Sequence, residues 1–167
     1  RASAATNGDT VVVANDNCPG QLVISGHSNG IDAALDMAKS AGAKRAVRLA
    51  VSIAAHSPLM EVIAEEFRQY VDDIPLAAPQ IPIFGNVEAA RLHDVADIRQ
   101  ELRQQLTHMV RWTKSARMMI AAGADHFLEL GPGDVLTKLF KRIDRDVRAT
   151  PIKDVAAFQA FISANSQ

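Results

Sequence analysis

Residues 21–40 read QLVISGHSNGIDAALDMAKS: an apolar run, a turn bracketed by glycines, and an amphipathic stretch. The middle five, Gly26-His27-Ser28-Asn29-Gly30, match G-x-S-x-G, and strand, sharp turn and helix are the setting in which that pattern exposes a nucleophilic serine. His56 follows a later apolar run, and in a parallel arrangement the two side chains would share a sheet edge. A purely architectural account fits the same letters. In it Gly26 and Gly30 supply backbone freedom, and Ser28 or Asn29 caps a helix beginning at Ile31. The rest of the chain has to decide between them.

Working outward, TVVVAN (10–15) and QLVIS (21–25) read as two strands joined by the turn-rich Asp16-Asn17-Cys18-Pro19-Gly20. IDAALDMAKSAGAK (31–44) places Ile31, Leu35 and Met37 or Ala38 at helical spacing, with Gly42 as C-cap. In RAVRLAVSIAA (45–55), Val47, Leu49 and Val51 alternate as in a half-buried strand. The order β, β, α, β is the last two-thirds of a ferredoxin-like βαββαβ unit, whose first strand and helix would lie upstream of Arg1.

After His56 the pattern changes. Ser57 and Pro58 supply an N-cap and a first-position proline, and Met60, Ile63, Phe67, Tyr70 and Val71 make an apolar stripe on a helix of about four turns. APQIPIFGN (78–86) is extended. Residues 97–110 and 112–124 read as amphipathic helices, the second ending at Gly123; 126–143 read as strand, tight turn and helix, and 147–162 as strand and helix. Such alternation marks a layered α/β lobe.

The chain has 167 residues, with 18 Lys and Arg against 19 Asp and Glu, so nothing in its charge calls for nucleic acid or an anionic membrane. Cys18 is the single cysteine, which precludes an internal disulfide or a cysteine-based metal cluster and suits a reducing, cytoplasmic setting. No leader or membrane-spanning run is evident. The opening RASAATNGDT lacks an initiator Met and reads as a polar linker or cut loop, the start of a piece of a longer chain.

Four segments in order, NDNCPGQLVISG (15–26), AAHSPLM (54–60), RQQLTHMVRWTKS (103–115) and ELGPGDVLTKLFKRI (129–143), resemble the C-terminal half of the malonyl-CoA:acyl-carrier-protein transacylases, relatives of fatty-acid and polyketide synthase acyltransferase domains. The resemblance implies the C-terminal part of an α/β-hydrolase-like large lobe over 55–167, and an incomplete ferredoxin-like small lobe over 1–54. It also implies a Ser-His dyad between the lobes. In that family the serine elbow precedes the segment matching 15–26, whereas Ser28 follows it, so the resemblance places SGHSNG at a small-lobe turn. The nucleophile, and the arginine that grips the malonyl carboxylate, would then lie upstream of Arg1, and this chain alone should be inactive.

By the same resemblance His56 is the dyad histidine. It immediately precedes a helix start, where the positive end of the macrodipole favours a neutral ring able to take a serine proton. The main-chain carbonyl of Gln105, near a helix C-terminus with unspent carbonyls, would orient the ring in place of a carboxylate. Asn15, Asn17 and Asn86 match cleft-side positions that bind substrate, though turn-building explains them as well. Lys114, Arg117, Lys138, Lys141 and Arg142 offer a basic rim to an acidic carrier protein, or a plain solvated face. The Gly131-Pro132-Gly133 turn opens a helix near Asp134; such turns present N–H groups to anions, but the family uses this one as architecture.

Where the family has Asn-Pro-Val-Gln before the tryptophan, this chain has His108-Met109-Val110-Arg111, and before the histidine matching the family's dyad it has Ile-Ala-Ala, with Ala55 small enough that an α-branch need not be strictly excluded, although overall similarity favours malonyl. The expected reaction is malonyl transfer from coenzyme A to the phosphopantetheine thiol of acyl carrier protein, with no bound cofactor or metal. Two rivals are a small serine hydrolase using Ser28 with His56, and a non-catalytic lobe that binds a carrier protein.

Overall fold

The computed structural model describes residues 8–165. β1 (Val11–Cys18) and β2 (Gln21–Gly26) form an antiparallel hairpin that turns at Pro19-Gly20, where Gly20, at φ +77°, supplies the left-handed residue such a turn needs. Asp16, Asn17 and Cys18, expected in the loop, belong to β1. Register shifts between Val13 and Asn15 and between Asp16 and Cys18 absorb these poor strand formers as bulges.

Helix α1 (Ser28–Ser40) starts at Ser28 rather than Ile31, so neither Ser28 nor Asn29 is its cap; His27 holds that position without a side-chain capping bond. At the other end Gly42 takes φ +86°, with its N–H on the Lys39 carbonyl and that of Ala43 on the Ala38 carbonyl.

The strand expected over 45–55 does not form. A strand is secured by ladder hydrogen bonds, and among the described residues none pairs with this segment. Its alternating side chains are accordingly uncovered, Val51 being 69% exposed.

Beyond it, Ser57 caps a single 3₁₀ turn (Pro58–Met60) that leads into α2 (Glu61–Asp73). Helix α2 packs on α3 (Val95–Gln104) and buries Ala64 and Val71, while Ile63 and Tyr70 of the expected stripe face outward. Two-residue strands β3 (Ile83–Phe84) and β4 (Arg91–Leu92) make a short hairpin before α3, whose N-terminus is capped by Asp94 on the Asp97 N–H at 2.9 Å.

α4 (Trp112–Ala121) ends in a turn in which Gly123 takes φ +99°. β5 (His126–Leu130), α5 (Val135–Ile143) and β6 (Arg148–Ile152) form a βαβ unit with parallel strands, and α6 (Val155–Ala164) follows, capped by Asp154.

The core lies where β1 meets α4 and α5. Ala14 and Cys18 from β1 are buried there together with Ala116, Leu139 and Phe140, while Val11 is buried against Gly30 of α1, and Phe140 stacks on Phe127 at 4.0 Å between centroids and meets Trp112 edge-on at 5.7 Å. The fold is mixed α/β, with the hairpin sheet joined to the C-terminal layers through β1.

Candidate active site

The connection from α3 to α4, residues 105–111, gathers the candidate residues. Helix α3 was expected to run to Val110, yet it stops at Gln104 because Val110 is drawn into pairing with β1: its N–H donates to Ala14 O at 2.8 Å and its carbonyl accepts from Asp16 N at 2.9 Å. A helix end leaves its last carbonyls without intrahelical partners. His56 takes two of those that follow. Its backbone N–H donates to Leu106 O at 3.0 Å, and its Nδ1 lies 2.9 Å from Gln105 O. A carbonyl oxygen only accepts, so this contact requires the proton on Nδ1 and leaves Nε2 of the neutral ring as an acceptor.

The backbone of His56 adopts φ +58°, a left-handed conformation that few residues other than glycine take. His56 therefore ends no strand. It sits in a turn fixed from the next residue, where the Ser57 hydroxyl donates to Ala54 O at 2.7 Å and Ser57 is fully buried.

Asn86 lies in the turn after β3. Its carbonyl accepts from Arg111 N at 2.8 Å, and its N–H donates to Glu101 Oε1 at 2.5 Å. Asn86, Gln105 and Glu101 line one cleft of about 390 Å³, together with Phe84, Gly85 and Leu92. Asn15 and Asn17 sit on β1 and are not among its lining residues; Asn15 bridges to Val110 instead. Sequence reasoning passed over Glu101, and over Thr113, whose buried hydroxyl ties α4 to Asp16 Oδ1 at 2.6 Å. A carboxylate on a polar helix face gives no motif to find.

The five basic side chains are exposed on α4 and α5. Three are engaged within the chain: Lys114 donates to Glu88 O at 3.2 Å, Lys138 pairs with Asp134 at 2.8 Å, and Arg142 reaches Pro19 O at 2.8 Å and Gln21 Oε1 at 3.0 Å. Arg117 and Lys141 complete the set.

Ser28 is exposed in the first turn of α1, and its hydroxyl meets the guanidinium of Arg48. A guanidinium has no acceptor and cannot take a serine proton. The bracketing glycines serve close packing rather than backbone freedom, since neither has a positive φ. A Cβ at Gly26 would stand 2.0 Å from Thr10 O, and one at Gly30 would stand 2.6 Å from Val11 Cγ2.

At the Gly131-Pro132-Gly133 turn the anion slot is already filled. Glu129 accepts from Leu136 N at 3.0 Å and Thr137 N at 2.8 Å, closing the N-terminus of α5 with a carboxylate of this chain. Desolvation works to raise the Glu129 carboxyl, but these two backbone N–H groups outweigh it and hold the carboxyl below its ordinary range.

The comparisons with known proteins agree with this architecture. The model of the acyl transferase domain matches residues 1–159. The malonyl CoA-acyl carrier protein transacylase of Bacillus subtilis (strain 168) is 40% identical over 147 residues, covering 88% of this chain and 46% of that protein. An acyl carrier protein S-malonyltransferase from Vibrio cholerae superposes with a TM-score of 0.91 at 38% identity, over 96% of this chain and 52% of that one. A malonyl-transacylase solved in complex with its type II PKS acyl-carrier protein superposes with a TM-score of 0.94 at 36% identity, over 98% and 53%. The chain spans about half the length of the curated relatives it matches. By sequence and by fold, the chain belongs to the acyl transferase domain family.

Proposed function

We propose that this chain is the part of a malonyl-CoA:acyl-carrier-protein transacylase that carries the general base, and that a serine outside it supplies the nucleophile. The observation that carries the reading is the His56 ring, held at Nδ1 by the Gln105 carbonyl on a left-handed backbone, with Nε2 left to accept a proton.

In the first half-reaction Nε2 of His56 takes the serine proton as the serine oxygen attacks the malonyl thioester carbonyl. The C–O bond forms, the C–S bond breaks, and the imidazolium returns its proton to the departing coenzyme A thiolate. In the second, Nε2 takes the proton of the pantetheine thiol on the carrier protein, sulfur attacks the acyl-serine, and the serine oxygen leaves with that proton. The Gln105 carbonyl compensates the imidazolium in both halves, as a carboxylate does in a triad.

On this reading 55–167 belong to a hydrolase-like large lobe and 1–54 to a ferredoxin-like small lobe. Asn86 steadies the cleft wall, Asn15 steadies the 105–111 connection through its bridge to Val110 with Asn17 beside it on β1, and the basic side chains of α4 and α5 face the acidic carrier in the cytoplasm. The uncovered alternation of Val47, Leu49 and Val51 fits a strand whose partner lies outside the chain.

Intact-protein mass spectrometry after incubation with malonyl-CoA tests the reading. A malonyl adduct is expected only when the upstream half is supplied, and on that half. An adduct on Ser28 in this chain alone would overturn it.

A further inference from the structure

The turn after β3 is held more firmly than a surface connection requires, and the group that holds it lies one helical turn before Gln105. Glu101 Oε1 accepts the N–H groups of Asn86 at 2.5 Å and Val87 at 3.0 Å. So close an approach is possible because residue 85 is glycine: a Cβ there would stand 2.4 Å from Glu101 Oε2 and 2.7 Å from its Cδ. The other side of the same turn is fastened to α4. Gly85 O accepts the buried Ser115 hydroxyl at 2.8 Å, and Asn86 O accepts Arg111 N at 2.8 Å. Residues 85–87 thus form a strut between the end of α3 and the start of α4. Those two helix ends anchor the connection whose Gln105 and Leu106 carbonyls hold His56.

We propose that Glu101 is a positioning residue for His56: its carboxylate fixes the 85–87 strut, the strut sets the spacing of α3 and α4, and that spacing aims the Gln105 carbonyl at Nδ1. The proposal rests on the reading of His56 as the general base. A carboxylate suits the task because charge strengthens both N–H bonds it accepts. An amide oxygen at the same position still accepts, more weakly, and a methyl group does not.

The test is steady-state malonyl transfer by the chain combined with its nucleophile-bearing half, with rates expressed per folded molecule. Glu101→Ala is expected to lower kcat about tenfold while KM for malonyl-CoA stays unchanged, because the base is displaced and the substrate contacts are not. Glu101→Gln is expected to restore kcat to within about threefold of the parent. Gly85→Ala, which pushes the carboxylate out, should cost a similar factor, and should cost little more when added to Glu101→Ala.

An unchanged kcat per folded molecule in Glu101→Ala, or full additivity of the two substitutions, would overturn the proposal and leave Glu101 a structural anchor. Should Glu101→Ala fail to fold, Gly85→Ala alone decides, since an unchanged kcat there equally overturns it. His56→Ala in the same assay separates the two levels. Parent-like transfer by that variant contradicts the base reading, whereas loss of transfer with an indifferent Glu101→Ala contradicts only the positioning role.

Discussion

His56 and Ser28 are the two places where this sequence advertises hydrolase-like chemistry, and the structure surrounds them differently. His56 is partly buried on a left-handed backbone, with its ring and its N–H both bound to carbonyls of a helix-terminal connection. Ser28 is exposed at a helix start, with a guanidinium for a neighbour. A base needs an acceptor nitrogen presented by fixed partners, and a nucleophile needs a base as its partner; the first condition is met at His56, whereas the partner of the Ser28 hydroxyl is a guanidinium, which is no base. Two matching glycines around a serine are therefore less informative than the atoms that surround it.

The largest expected effect separates the two residues directly. In the chain combined with the half proposed to bear the nucleophile, His56→Ala should lower malonyl transfer by about 10³-fold, roughly 4 kcal/mol, whereas Ser28→Ala should stay within about twofold. Equal losses from both would break the contrast.

Next come the glycines of the same motif. Gly26→Ala drives a Cβ into the Thr10 carbonyl and should cost about 2–3 kcal/mol in denaturant unfolding, even though the serine two residues on is expected to be dispensable. A silent Gly26→Ala would mean that the hairpin packs otherwise.

Smaller again is the cap on α5. Glu129 has a folded-state carboxyl held below its ordinary range, so its contribution is complete above the unfolded carboxylate range and is lost as pH falls through the folded value. Glu129→Gln should therefore destabilise the chain by about 1 kcal/mol at neutral pH, with the difference closing on acidification. A gap that widened on acidification would reverse that sign. Smallest is Gln105→Ala, which keeps the main-chain carbonyl and should leave transfer within about twofold.

Much of this molecule was legible in its letters where punctuation is local. Gly42 and Gly123 end helices with positive φ, and the Gly131-Pro132-Gly133 turn divides strand from helix, as their residue types demand. Long-range pairing was not legible. The periodicity through Leu106 and Met109 continues a helix, but Val110 leaves it for β1, a partner almost a hundred residues earlier. Asp16 and Asn17 read as turn formers, and only the bulged register keeps them in a strand. The alternation of Val47, Leu49 and Val51 records a pattern without naming a neighbour, and among the described residues none is there. At the site, His56 stood out through its surrounding motif. Its carbonyl partners and the Glu101 strut depend on where two helices end, which no single segment encodes.

As the proposed base, His56 must hold its proton on Nδ1 and keep Nε2 free. Long-range ¹⁵N–¹H correlation spectra of histidine-labelled protein, the chain combined with its nucleophile-bearing half at alkaline pH, read that tautomer directly, with His56→Gln assigning the signal. One fixed Nδ1-protonated ring at His56 is the expected result. An Nε2-protonated ring, or one averaging between tautomers as an unrestrained imidazole does, would contradict the role of His56 as the base.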